Sequence, residues 1–430
     1  MKQSFLELLR CPYCGSIFEL SEVIEEYASE IITGCLKCEC NSFPILEGIP
    51  IIFNNSVNKH ILKSVINKDI TAAFALAING YSNDICRVSD FISSKPSRSF
   101  LKKIIIKSFG YLYRDKRDFY SDDGRYFWDI LGAGLYQDYL RHRFSCQTFW
   151  TLYPFIPIIQ KKKQLILDLC CGCGHASFVI SNYINPDELV CVDADFRNLY
   201  LAKKYFSKGE FININANEQL PFKNHIFSSV LMMDAFHYIH AKSLLSKELS
   251  RIAESDGNIV LLHIHNSLVE NVAAGIPITP SNLRNLFEDS NIKILPEENI
   301  IRDFIQHGQL NLKKDWGQED LSSSNLILIK SPYREDISKL WDKINPTESE
   351  LIINPIYKIK SKNENKIHLE LEFPSEYFRK EYPITESFLV HDYELDLNNL
   401  DSTLIENLIR KFILINVPKK YIDSDPHKIH

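Results

Sequence analysis

"LILDLCCGCGHASF", residues 165–178, sets three cysteines and two glycines into the five positions that follow an apolar run. Two readings compete. Cys170, Cys171 and Cys173 could gather round a metal ion, or the stretch could be a strand, a tight loop and a helix that cradle a cofactor. Stereochemistry weakens the first, because the adjacent thiols of Cys170 and Cys171 point in different directions. The second fits an open parallel sheet, where ligands bind at the carboxyl ends of strands. Gly172 and Gly174 let the backbone approach a ligand, and the start of the next helix favours a negative group. The following strand, "ELVCVDAD", ends in Asp193, 25 residues after Asp168. A carboxylate placed there accepts hydrogen bonds from the hydroxyls of a ribose.

At 430 residues the chain exceeds one compact core, and roughly two to three domains are expected. A net charge of −6 argues against a general nucleic-acid binder, which needs a cationic face. No run of about 18 apolar residues is present, so no membrane span is expected. The N-terminal "MKQSFLELLRCPYC" lacks the apolar core of a secretory signal. Eleven cysteines without such a signal point to a reducing, cytoplasmic setting.

The chain divides by pattern into four parts. Residues 1–55 are a cysteine-bearing module whose "SEVIEEYASEIIT" alternates like a strand. Residues 56–160 form a helical linker and lid, with "TAAFALAI" and "SFLKKIIIKSFGYLY" as helices. Residues 161–332 alternate strand and helix: "QLILDLC", "ELVCVDAD", "EFININ", "FSSVLMMDAF", "GNIVLLHIH", "NIKIL" and "NLILIKS" read as strands. Helices fall between them, the one at "SNLRNLFEDS" capped by Ser281. Such alternation predicts an α/β fold with a mostly parallel sheet. Residues 333–430 predict an α+β accessory domain, with two strands around "KNEN" and a helix over "STLIENLIRKFILI".

A dinucleotide-binding dehydrogenase would place glycines at 172, 174 and 177, but position 177 is serine, and Asp168 is an acid where such strands stay apolar. Asp168, Leu169, Cys170, Cys171, Gly172, Cys173 and Gly174 resemble instead the loop of class I S-adenosylmethionine-dependent methyltransferases. The resemblance continues through "ANEQLPFKNHIFSSVLMMDAFHYI" and "KELSRIAESDGNIVLLHIHN", and spans about residues 164–330. It implies a Rossmann-like sheet, S-adenosyl-L-methionine as cofactor, and a binding set of Asp168, Cys170, Gly172, Gly174, Asp193, Ala194 and Met233. Cys170 stands where the family has its first glycine. The acid that meets the adenine amino group is missing, which leaves Asn215 or Asn217 to serve.

Cys11 and Cys14 form one Cys-x-x-Cys turn, and Cys35 and Cys38 another. Two such knuckles can close a tetrahedral thiolate site for a structural Zn²⁺ ion. Cys40 competes with Cys38 for the last position. With "LLRCPYCGSIFEL" and "FPILEGIPIIF", the module resembles the Trm112-type zinc ribbons, which also occur fused to methyltransferase domains. The resemblance implies a scaffold or substrate-side role.

Methyl transfer from a sulfonium needs positioning and a dry pocket, and sometimes a base. His265, His263 and His237 are the base candidates, and "LLHIHN" sets His263 and His265 two apart, on one side of a strand. The aromatic block Tyr126, Phe127, Trp128, Tyr136, Tyr139, Phe144, Phe149, Trp150, Tyr153 and Phe155 is either a lid over the pocket or core. The basic stretch "KPSRSFLKKIIIKSFGYLYRDKR" suits RNA phosphate, an anionic membrane surface or a solvated helix face. The Asn-Pro-Pro-aromatic signature of nucleobase amino methyltransferases is absent. The expectation is a methyltransferase acting on a small molecule or biosynthetic intermediate. An RNA methyltransferase gripping its substrate through the ribbon and a non-catalytic interaction protein are the alternatives.

Overall fold

The computed structural model describes residues 1–79, 139–160, 164–271, 273–287, 291–308, 310–312, 314, 316–332, 349–380, 385–419 and 421. The chain divides into two compact units. One comprises Met1–Ala133, Gln164–Val230 and Ala241–Ser255; the other comprises Gly134–Lys163, Leu231–His240 and Asp256–His430.

The first unit opens with Glu19–Tyr27 (β1), Glu30–Lys37 (β2), Ser42–Leu46 (β3) and Ile49–Pro50 (β4), an antiparallel sheet in chain order. The stretch expected as a single strand is thus a hairpin. It turns at Ala28 and Ser29, whose φ angles are +48° and +64°. A two-residue hairpin turn needs positive φ to match the strand twist, and neither residue advertises it as glycine or asparagine would. Leu36, Phe43, Ile45 and Leu46 fill the module's core, and Tyr13 stacks on Phe43 at 6.1 Å.

In the same unit Ile166–Leu169 (β5), Leu189–Asp193 (β6) and Glu210–Asn213 (β7) form a parallel ladder. All of β5 is buried, and all of β6 but its last residue, the signature of a parallel sheet covered on both faces. The N-terminal module joins this ladder through main chain. Ile51 bridges Asn213 in parallel, and the Ile52 N–H donates to the Asn213 carbonyl over 2.9 Å. On the other flank, the Arg10 N–H donates to the Pro221 carbonyl over 3.0 Å.

Phe227–Met233 (β8) is buried at every position and runs through both units. Ala253–Ile264 (β9), Ile292–Pro296 (β10) and Leu326–Lys330 (β11) follow, with β11 antiparallel to both β9 and β10. The seven strands run in the order β10-β11-β9-β8-β5-β6-β7. This is the expected Rossmann-like α/β class, with antiparallel pairs at the β10 end.

The second unit also holds Ser349–Ile353 (β12), Tyr357–Lys362 (β13), Lys366–Leu371 (β14), Asp392–Asp396 (β15) and Leu414–Pro418 (β16). The helix expected over "STLIENLIRKFILI" stops at Arg410, and the tail becomes β16, antiparallel to β12. Phe412, at φ +54°, makes the break, and its ring lies 4.0 Å from that of Trp150 with 7° between planes. Phe144 packs edge-on against Tyr421 at 5.2 Å. The described aromatics from Phe144 to Phe155 are therefore buried core of this unit and not a lid. Tyr126, Phe127, Trp128 and Tyr136 lie outside the described residues, as does the basic stretch. The helix Pro280–Asn285 is capped by Thr279, which accepts from the Asn282 N–H, and not by Ser281. Pro280 at the first helical position moves the start back.

Candidate functional site

The loop after β5 owes its shape to three left-handed residues, Cys170, Gly172 and Gly174, at φ +61°, +55° and +84°. Cys170 adopts the conformation that glycine takes freely and other residues adopt at a cost of roughly 1–2 kcal/mol. The glycines differ in purpose. A Cβ on Gly174 would lie 2.7 Å from the Ala202 Cβ, so this glycine lets the loop pack on the helix Phe196–Tyr205. A Cβ on Gly172 would meet nothing within 4 Å, so the backbone there faces open space.

Two acids, one in β5 and one at the end of β6, bear on this segment. Asp193 is half-buried, with exposed Ala194 beside it. Its Oδ2 accepts the Gly172 N–H at 2.9 Å and its Oδ1 accepts the Asp195 N–H at 2.8 Å. A carboxylate has about four acceptor sites, so the two oxygens keep capacity for two ribose hydroxyls. Asp168 is fully buried and accepts from the Ser177 hydroxyl at 2.6 Å, which makes it a brace within the loop. Burial pushes the Asp168 carboxyl up to about 7 and the Asp193 carboxyl up to about 6. Asn217 Oδ1 accepts the Ala241 N–H at the start of the helix Lys242–Ile252, while Asn215 Oδ1 accepts the Asn217 N–H. Both asparagines hold the turn after β7.

The loop thiols do not converge, although Cys170 and Cys173 have Cys-x-x-Cys spacing. Cys173 is buried and donates to Asn198 Oδ1 at 3.3 Å. Among the described residues, the thiols that do gather are Cys11, Cys14, Cys38 and Cys40, with all sulfurs within 4.8 Å of one another. Cys11 and Cys38 lie 3.7 and 3.6 Å from Cys40. A tetrahedron of sulfurs about 2.3 Å from a zinc ion has edges of about 3.8 Å, so the quartet fits. The expected ligand set changes by one residue. Cys35 lies inside β2, paired with Glu22 and Pro44, and the chain must clear the ladder before it can turn toward the first knuckle. Cys38 and Cys40 do that.

The second unit carries its own polar cluster. Asp234, immediately after β8, has φ +54°, and His263 in β9 has φ +51°. Ladder partners of β11 are Ile264 for Leu326 and Leu261 for Leu328, so Leu262 and His263 together face Ile327. That bulge re-aims His263, and simple alternation does not describe the pair. His263 Nδ1 lies 2.8 Å from Glu297 Oε2, and its Nε2 lies 3.8 Å from Asp234 Oδ1. Burial alone would lower the His263 imidazole; the Glu297 and Asp234 carboxylates outweigh it and raise it to about 9. Burial would raise Asp234, but Arg143 and the neighbouring histidines hold it below the usual carboxylate range. Tyr139 donates to Asp234 Oδ2 at 3.0 Å and Arg143 pairs with it at 3.1 Å. His237 and His265 stack face to face, 3.5 Å between centroids and 4° between planes. Met233 is buried at the end of β8. Sequence reading missed Asp234, Arg143 and Glu297, and named Tyr139 only within the aromatic block. Only Asp234 carried a signal, as an acid ending an apolar strand next to Met233.

Residues 166–257 match a family model described as a methyltransferase domain. No curated protein matches the chain. Among solved structures, the YcgJ protein of Bacillus subtilis is 16% identical, covering 43% of this chain and 98% of its own, with a TM-score of 0.31. A complex of the Haloferax volcanii Trm112 methyltransferase activator with a methyltransferase is 13% identical. It covers 46% of this chain and 97% of that one, with a TM-score of 0.31. Haemonchus contortus phosphoethanolamine N-methyltransferase 2 is 13% identical, covering 47% of this chain and 61% of its own, with a TM-score of 0.30. Among the described residues no helix is long and apolar enough to cross a membrane.

Proposed function

We propose that the chain is an S-adenosyl-L-methionine-dependent methyltransferase acting on a small molecule or biosynthetic intermediate. The observation that carries this reading is the Gly172–Asp193 hydrogen bond. It joins a loop with backbone facing open space to an acid with acceptor capacity to spare. Bound S-adenosyl-L-methionine supplies an already activated methyl group. The chain's part is to hold the ribose at Asp193, to admit the cofactor against Gly172, and to exclude water. A net charge of −6 favours a small acceptor over a polyanion.

We also assign Cys11, Cys14, Cys38 and Cys40 to a structural zinc ion in a Trm112-like ribbon. Four thiolates leave no open position, so the ion shapes the module and takes no part in chemistry.

Calorimetry with S-adenosyl-L-methionine and its demethylated product tests the cofactor. Binding is expected, and Asp193→Ala should weaken it by about 1.5–3 kcal/mol, the scale of hydrogen bonds to a charged acceptor. Binding of a nicotinamide dinucleotide instead would overturn the reading. The acceptor is sought by following release of the demethylated cofactor over metabolite extracts and over RNA. Turnover on RNA that falls steeply with salt would replace the small-molecule assignment.

A further inference from the structure

We propose, building on the methyltransferase and zinc readings above, that Tyr13 in the first cysteine knuckle is a positioning residue for the cofactor, and that the thiolate quartet thereby sets how tightly the cofactor is held. The Tyr13 hydroxyl donates to Glu218 Oε2 at 2.9 Å and accepts the Asn54 N–H at 3.1 Å. One phenol oxygen thus joins the knuckle, the segment that leaves the module and the turn after β7.

The module grips this turn on both sides of that bond. Where the turn begins, the Ile52 N–H donates to the Asn213 carbonyl at 2.9 Å. Where it ends, the Arg10 N–H donates to the Pro221 carbonyl and the Lys223 N–H to the Leu8 carbonyl, each at 3.0 Å. Inside this frame the bonds run on toward the cofactor. The Asn215 side-chain amide donates to Glu218 Oε1 at 3.4 Å. Asn215 Oδ1 in turn accepts the Asn217 N–H and the Asn217 side-chain amide, at 3.0 and 3.2 Å. These are the two asparagines left to meet the adenine amino group. The start of the turn is also tied to the proposed ribose acid, since Asn213 Nδ2 and the Ile214 N–H donate to the Asp193 carbonyl at 2.9 and 3.1 Å.

A phenol can hold the turn only if its own ring is fixed, and the knuckle fixes it. Tyr13 lies between Cys11 and Cys14. The Gly15 N–H donates to the Cys11 carbonyl and the Cys11 N–H to the Ser16 carbonyl, each at 2.9 Å. The ring stacks on buried Phe43 with 13° between planes. Metal-bound thiolates order such a knuckle, and a module this small loses its fold with the ion. The module is therefore the two-state element that coupling requires. Folded, it keeps the turn in one arrangement; unfolded, it leaves the turn to be ordered when the cofactor binds, which lowers affinity. Coupling of this kind is reciprocal, so saturating cofactor should tighten zinc by the same factor.

The test is calorimetry of the full-length, zinc-loaded chain with the demethylated product of S-adenosyl-L-methionine. Tyr13→Phe keeps the ring on Phe43, and Glu218→Ala lies away from the thiols, so both should retain one zinc per chain. Tyr13→Phe should weaken binding roughly 3- to 10-fold, the scale of one net hydrogen bond. Glu218→Ala should weaken it at least as much, and the double variant no more than Glu218→Ala alone. The Ala241 N–H donates to Asn217 Oδ1 at 3.1 Å, so without cofactor the Asn217 and Ala241 amides of both variants should exchange hydrogen faster than in the parent. A bond that merely docks the module would move neither affinity nor these amides. Variants that bind like the parent, or losses that add in the double variant, would overturn the proposal. A parent that binds no cofactor would overturn the methyltransferase reading instead, and a parent without zinc the metal reading. Faster exchange in Tyr13→Phe would then still assign the order of the turn to Tyr13, and unchanged exchange would sink that assignment too.

Discussion

Gly172 and Asp193 share a 2.9 Å hydrogen bond from backbone N–H to carboxylate, so the loop after β5 and the acid that ends β6 are one hydrogen-bonded piece. Removing the acid therefore takes away the proposed ribose acceptor and also loosens the loop. Asp193→Asn keeps an acceptor for Gly172 and should lose less cofactor affinity than Asp193→Ala. Calorimetry on both variants measures the difference, and equal losses would assign the whole effect to the charge.

The two loop glycines should fail in different ways. Gly172→Ala places a methyl group in open space at positive φ, costing roughly 1–2 kcal/mol of stability and blocking the cofactor. Gly174→Ala drives a Cβ to 2.7 Å from Ala202 and should lower the melting temperature more. Melting curves with and without cofactor separate the two. A Gly172→Ala variant that binds normally would remove that backbone from the site.

Cys170 offers the reverse experiment. Cys170→Gly should be neutral or stabilising by up to about 1 kcal/mol, because glycine accepts φ +61° without strain. Cys170→Val should be clearly destabilising, since a branched Cβ is least tolerant there. Denaturant midpoints would show it.

Metal counting separates the thiols. Cys14→Ser and Cys40→Ser should lose the tightly bound zinc and unfold the N-terminal module, whose folding the metal supplies. Cys35→Ser, Cys171→Ser and Cys173→Ser should each retain one zinc per chain. Elemental analysis after dialysis reads the number, and zinc lost on changing Cys35 would restore the spacing-based quartet.

Asp168 should impose a pH dependence on stability. Its carboxyl ionises near 3.8 when unfolded and near 7 when buried. Below the first value both states are protonated and the group contributes nothing. As pH rises from about 4 to 7 the unfolded chain ionises first, so stability falls by up to about 4 kcal/mol and then levels off. Asp168→Asn should lack this fall, and its advantage over the parent should grow across that window. Chemical denaturation at pH 4.5, 6 and 8 (~ values that bracket the window) measures it; parallel curves would mean that Asp168 stays ionised.

The sheet and the tight loop after β5 were legible because they rest on local rules. Apolar runs of strand length, glycines at loop positions and an acid near the carboxyl end of each of two strands are local signals of this kind. Cys170 in a left-handed conformation was legible too, from the expectation of glycine there. What escaped depends on contacts distant in sequence or on unsignalled backbone. The Ala28–Ser29 turn carries no turn residue. Cys35 and Cys40 differ as ligands only through the length of β2. Glu297 reaches His263 across 34 residues, and Arg143 reaches Asp234 from a segment that reads as apolar helix. The aromatics stayed open between lid and core because composition does not distinguish a cover from a core until Phe412 arrives from the far end of the chain.

The join between Ile51 and Asn213 has a further consequence. A parallel sheet's last strand displays unpaired amide and carbonyl groups that invite another chain to add on. Here the segment after the ribbon occupies part of that row on β7. A molecule stripped of its zinc would expose a template for strand addition while its α/β core stayed folded. If the thiolate quartet holds zinc as proposed, chelation should be followed by self-association before global unfolding, and that metal would guard solubility as much as shape.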